Sequence, residues 1–127
     1  MAKMSNYEKQ IYEYLKKLFP NFNIKCHYQM SNFANCPKRF RRMHVDFYVP
    51  EFNLAIEVDG EHHERKVVYN DEIKAQVDFE RRQSLDTKKE IFLAEIGVKL
   101  LRIKYHEIKD LKWFEEIIDS AIKEDRA

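Results

Sequence analysis

VDFYVPEFNLAIEVDGEHH, running from Val45 to His63, decides the fold. Two runs, His44 to Val49 and Leu54 to Asp59, alternate apolar and polar residues, and Pro50-Glu51-Phe52-Asn53 separates them. This spacing predicts an antiparallel hairpin with a short connection. Closed symmetrically, it sets Val49 opposite Leu54, Phe47 opposite Ile56 and Asp46 opposite Glu57. Val45, Phe47, Val49, Leu54, Ile56 and Val58 then share one apolar face, while Asp46, Tyr48, Ala55, Glu57 and Asp59 share the other. A slip of one residue destroys that agreement, so the pattern itself supports the register.

The register gathers Asp46, Glu57 and Asp59. Like charges across a strand pair repel, and a nearby cation relieves them. Carboxylate oxygens of this kind suit Mg²⁺, with Mn²⁺ as the other fitting ion. Such an ion polarises a phosphoryl oxygen and activates water. The plainer reading, a solvated strand face whose acids pair with lysines, has equal weight on spacing alone. His62 and His63 follow the turn at Gly60 and qualify as general acid or base, or as ligands; the spacing does not choose between them.

Outward from the hairpin, Ser5 to Leu18 reads as an opening helix, with Ser5 and Glu8 as a capping box and Ile11, Tyr14, Leu15 and Leu18 at helical spacing. Pro20 ends it, Ile24 to Met30 fits a strand, and Ser31 to Pro37 reads as a loop. The segment from Arg65 to Gln83 is polar and partly helical in pattern. Ser84 to Ile96 is a stronger helix with Lys88 and Lys89 on a charged face, and Gly97 stands at its C-cap. Val98 to Tyr105 is a strand, and Asp110 caps a last helix carrying Leu111, Phe114, Ile117, Ile118, Ala121 and Ile122. The expected order is α-β-ββ-α-β-α, a mixed α/β fold with helices flanking the sheet in one domain over residues 1–127.

The chain has 127 residues with a formal net charge of +1, so any nucleic-acid surface has to be local rather than global. Lys38, Arg39, Arg41 and Arg42 form such a local run just before the hairpin and are candidates to grip backbone phosphates. Phe40 and Tyr28 are candidates to stack on a base. An ordinary basic sheet edge is the alternative. Cys26 and Cys36 are too few for a disulfide scaffold. A zinc site on them needs two more ligands, such as His27 or His44, and no CxxC spacing supports it. The polar start and the lack of a long apolar run lead to the expectation of a cytoplasmic protein with no membrane partner.

The ordered set Glu8, Asp46, Phe47, Pro50, Glu57, Asp59, Gly60, His63, Asp86, Lys89, Leu93, Gly97, Leu101 and Arg102 resembles the PD-(D/E)XK nuclease superfamily. It is most similar to its small Vsr-like (very-short-patch repair) endonuclease domains. The resemblance spans about Ser5 to Ile108. It implies a restriction-endonuclease-like core and a Mg²⁺-dependent endonuclease acting on double-stranded or branched DNA. Asp46 and Glu57 would be the metal ligands, Asp59 their neighbour, and Glu8 an added acid from the first helix. The superfamily usually carries lysine two positions after the second acid; here that position is Asp59, and His63 or Lys89 would replace the missing cation. The rival reading is a nucleic-acid-binding module of the same fold that does not cut. A protein-interaction domain with merely solvated acids is a third. A homodimer is compatible with each, and the stretch between His63 and Asp86 is longer than the resemblance leads one to expect.

Overall fold

The computed structural model describes residues 4–60 and 72–123. His62 and His63 lie outside the described residues. Among those described, the order is α1 (Asn6–Leu18), β1 (Lys25–Gln29), β2 (His44–Val49), β3 (Leu54–Asp59), α2 (Glu72–Glu95), β4 (Lys99–Lys104) and α3 (Leu111–Lys123). The order α-β-ββ-α-β-α is therefore the one the sequence predicts. The sheet is mixed: β1, β2 and β3 run antiparallel to their neighbours, and β4 joins β3 in parallel. A parallel partner needs a crossover, which here includes α2.

Local chemistry fixes the element ends. Ser5 accepts from the Glu8 N–H at 3.2 Å, while Glu8 accepts from the Ser5 N–H at 3.2 Å, closing the capping box. Asp110 accepts from the Trp113 N–H at 2.9 Å and starts α3. Gly97, with φ +82, ends α2 in the left-handed region that costs glycine nothing. The hairpin connection is a short 3₁₀ turn, Pro50–Phe52, closed by Asn53 at φ 51. The Asn53 side chain accepts from the Tyr48 hydroxyl at 2.6 Å and donates to the Gly97 carbonyl at 2.7 Å. One turn thus ties the hairpin to the start of β4.

Helices cover both faces of the sheet. Phe47, Val49, Leu54, Ile56, Val58 and Ile103 pack with Ile11 and Leu15 of α1 and Phe114 and Ile118 of α3. The opposite layer contains Val45, Ala55, Met30, Phe40 and Cys36 with Phe92 and Leu93 of α2.

Five expectations need correction. The paired residues of β2 and β3 are Val49–Leu54, Tyr48–Ala55 and Phe47–Ile56, as the hairpin spacing requires, but pairing stops there. Val45 lies in the second cluster and not with Phe47, because β2 leaves β3 beyond Phe47 while staying paired to β1 through Val45 and His44. The helix expected from Ser84 is the C-terminal half of one 24-residue helix; its polar first half was legible only as partly helical. Lys89 belongs to the buried side of that helix, only 3% exposed, and not to a charged face. Phe40 is fully buried and unavailable to a base; the Arg39 guanidinium instead lies 4.7 Å over its ring. Tyr28 stacks on Tyr48 at 4.9 Å. Among the described residues no helix is long and apolar enough to cross a membrane.

Candidate functional site

The place where β2 and β3 part carries the polar residues. Alternation points Glu57 to the α2 side of β3, where α2 presents the stripe Leu85, Lys89, Phe92, Leu93 and Ile96. Lys89 Nζ meets Glu57 Oε1, and both side chains are almost fully buried. The parallel register places Arg102 of β4 beside Glu57, and its guanidinium donates to Glu57 Oε2 at 3.2 Å. The same nitrogen lies 3.9 Å from Asp59 Oδ1, and Arg102 Nε lies 3.5 Å from Glu90. Burial pushes the Glu57 carboxyl up from its ordinary range, Lys89 and Arg102 pull it down, and the charge of Asp46 adds to the rise.

Asp46 sits on the other strand of the split. Its Oδ2 accepts from the Val58 N–H at 2.7 Å. A side chain thus satisfies a β3 backbone donor where the strands are no longer paired. Its Oδ1 lies 3.6 Å from His44 Nε2. That carboxylate raises the His44 imidazole above its ordinary value, with burial working against it. On β1, His27 stands opposite Asp46, between the pairs Cys26–Phe47 and Tyr28–Val45. Its ring lies 5.2 Å from that of His44, and its Nε2 is 2.6 Å from Glu8 Oε2 on α1.

The predicted residues therefore fall into two adjoining groups. Glu57, Asp59 and Lys89 lie together with Arg102; Asp46 and Glu8 lie with the histidines of β1 and β2. Asp46 adjoins Glu57 through its bond to the N–H of the next residue, Val58. Glu8 closes the capping box of α1 through one carboxylate oxygen and meets His27 Nε2 through the other. His63 falls outside the described residues. Lys38 and Arg39 stand in a short 3₁₀ turn, and Arg41 and Arg42 follow, all four exposed. The run leads directly into His44 at the parted end of the hairpin. Cys26 and Cys36 are free thiols; Cys36 is buried and donates weakly to the Pro37 carbonyl at 3.5 Å.

Sequence reasoning missed Arg102 as the partner of Glu57, which only the β3–β4 register reveals. It considered His27 and His44 only as the further ligands that a disfavoured zinc site on the cysteines would need, whereas both gather with Asp46. Lys89 had a visible signal: it occupies an apolar-stripe position between Leu85 and Phe92. A buried ion pair is a weak way to stabilise a fold, since desolvation offsets most of the attraction. Glu57 and Lys89 on an otherwise apolar layer are thus candidates for chemistry. No protein-family model matches the sequence, and no curated protein matches it significantly.

Proposed function

We propose that the chain is a metal-dependent endodeoxyribonuclease with a restriction-endonuclease-like core of the PD-(D/E)XK kind, hydrolysing phosphodiesters in double-stranded or branched DNA. The observation that carries this reading is the meeting of Lys89 from α2 with Glu57 on β3, next to Asp46 at the strand split. Two acids and a lysine are thereby assembled from three elements, although Asp59 occupies the position two residues after Glu57.

Asp46, Glu57 and Asp59 offer the carboxylate oxygens that a hard divalent ion prefers, and Mg²⁺ takes few protein ligands; among the described residues their oxygens are not gathered within 4.8 Å of one another, so Mg²⁺ would have to draw Glu57 toward Asp46. When bound, Mg²⁺ supplies Lewis-acid activation of the phosphodiester and of water. The chain's own residues do the rest. Lys89 and Arg102 bring fixed positive charge to a largely buried position, where it stabilises the negative charge developing on phosphate more strongly than in water. The Val58 N–H holds the Asp46 carboxylate in one orientation. Lys38, Arg39, Arg41 and Arg42 bind the backbone of the duplex and align it with the split.

Supercoiled plasmid incubated with Mg²⁺ tests the reading. The wild-type chain nicks or linearises it, EDTA stops the reaction, and Asp46→Asn and Glu57→Gln abolish it. Lys89→Met slows it by roughly a hundred- to a thousandfold, as for loss of one preorganised donor. No cleavage by the wild-type chain on plasmid, mismatched or branched DNA overturns it.

One observation favours the second reading, a binding module of this fold that does not cut. Both Glu57 oxygens already face cations of the chain itself, Lys89 and Arg102. That reading predicts salt-dependent DNA binding with no Mg²⁺-dependent product.

A further inference from the structure

We propose that His27, His44 and Asp46 form a site for one divalent transition-metal ion of the zinc class. The site shares Asp46 with the nuclease reading but needs neither Glu57 nor cleavage. Among the described residues these three bring their ligand atoms within 4.8 Å of one another. Two imidazole nitrogens and one carboxylate oxygen suit zinc and its neighbours, whereas Mg²⁺ prefers oxygens alone.

One pair of donors already stands near the spacing found around a bound ion. Ligands around a tetrahedral zinc stand roughly 3.3 Å apart, given bonds of about 2.0 Å. Asp46 Oδ1 and His44 Nε2 are 3.6 Å apart. His44 is 42% exposed at its side chain, so its ring has room to close on the ion. Asp46 and His27 are held more firmly. Asp46 Oδ2 is fixed by the Val58 N–H, which leaves Oδ1 for an ion. His27 is gripped by Glu8, the carboxylate–histidine pairing that orients metal-bound imidazoles.

His27 also has φ 47, a left-handed conformation that a histidine inside a strand rarely adopts. Backbone in such regions persists where its surroundings over-determine it, and it gathers at functional sites. Here it accompanies a histidine held by α1 and standing next to the β2 ligands. Three protein ligands leave a fourth position open on the exposed His44 side, where water or a phosphate oxygen fits.

Titration of the full chain with Co²⁺, followed through its visible ligand-field bands, tests the site. One equivalent saturates it, Zn²⁺ displaces the colour, and excess Mg²⁺ does not. Glu8→Gln binds about ten- to a hundredfold more weakly, the usual effect of losing a ligand's orienting partner. The His27→Ala/His44→Ala double variant gives no bands. Bands that survive in that double variant, or no bands with the wild-type chain, overturn the proposal. A readout on the unaltered protein guards against misfolding of the variants: Zn²⁺ shifts the ring-nitrogen resonances of His27 and His44, and resonances that stay in place refute the site. Loss of Co²⁺ binding with Mg²⁺-dependent cleavage intact sinks this site alone. Co²⁺ binding without any cleavage sinks the nuclease reading alone.

Discussion

The two ends of one hairpin differ sharply. At the closed end, β2 and β3 pair residue by residue from Val49–Leu54 to Phe47–Ile56, and the side chains there pack into two layers. At the open end the pairing stops, and the Asp46 side chain accepts the Val58 N–H. Where backbone satisfies backbone, side chains are released for packing. Where the strands part, a side chain has to supply an acceptor, and meeting that need fixes a carboxylate in space. The strand split thus gives a structural bond and a carboxylate of fixed orientation in the same residue. Polar groups of α1, β1, α2 and β4 converge around that end, so the sheet is nearly all core at one end and carries a polar cluster at the other.

The largest expected effect lies at the open end. Lys89→Met leaves the buried Glu57 carboxylate with Arg102 alone and costs about 3–5 kcal/mol in urea denaturation. Lys89→Met with Glu57→Gln recovers most of that loss. A double variant as unstable as the single one shows that the pairing is not its source.

Asp46 separates the structural from the chemical contribution. Asp46→Ala orphans the Val58 N–H at a cost of about 1–3 kcal/mol, whereas Asp46→Asn keeps an acceptor and stays within about 0.5 kcal/mol of wild type on the same scale of effects. On the nuclease reading proposed above, both also lose Mg²⁺-dependent cleavage. Equal destabilisation by the two substitutions breaks the contrast drawn between the ends.

The closed end answers through its turn. Asn53→Ala places a β-carbon in the left-handed region and removes the links to Tyr48 and Gly97, a loss of about 1–2 kcal/mol by thermal melting. If the chain binds DNA as proposed above, this variant keeps the wild-type affinity, since the turn lies at the far end of the hairpin from Asp46. A fall in DNA affinity as large as that of an Arg41→Ala variant contradicts the division.

The smallest effect concerns Cys36, which packs in the layer that holds Val45. Burial pushes its thiol up from the ordinary 9.0, with Arg41 pulling it down. The folded chain therefore keeps this proton to higher pH than the unfolded chain. Its contribution to stability is complete below pH 9.0 and is lost as pH rises through the folded value. In a Cys26→Ser background, alkylation of native Cys36 rises only above that pH, while the urea-unfolded chain reacts lower. Coincident profiles rule out the shift.

Several features were legible from residues alone. The alternation of Phe47, Val49, Leu54 and Ile56 determined the hairpin register, because only one pairing puts every apolar residue on one face. Ser5 and Glu8, Gly97 and Asp110 marked helix ends, because each supplies the bond or backbone angle that an end requires. Asp46, Glu57 and Lys89 stood out by chemical type. What tertiary structure decided is which of them meet. Strict alternation has no means of foretelling that β2 leaves β3 after Phe47, since strand divergence depends on what each strand pairs with on its other side. Arg102 reaches Glu57 only through the parallel register of a strand that follows a long crossover. His27, 19 residues from Glu8, meets it and Asp46 only because β1 and α1 pack beside the split. Local spacing encodes periodicity and caps; contacts between distant segments are set by how the layers close on their shared core.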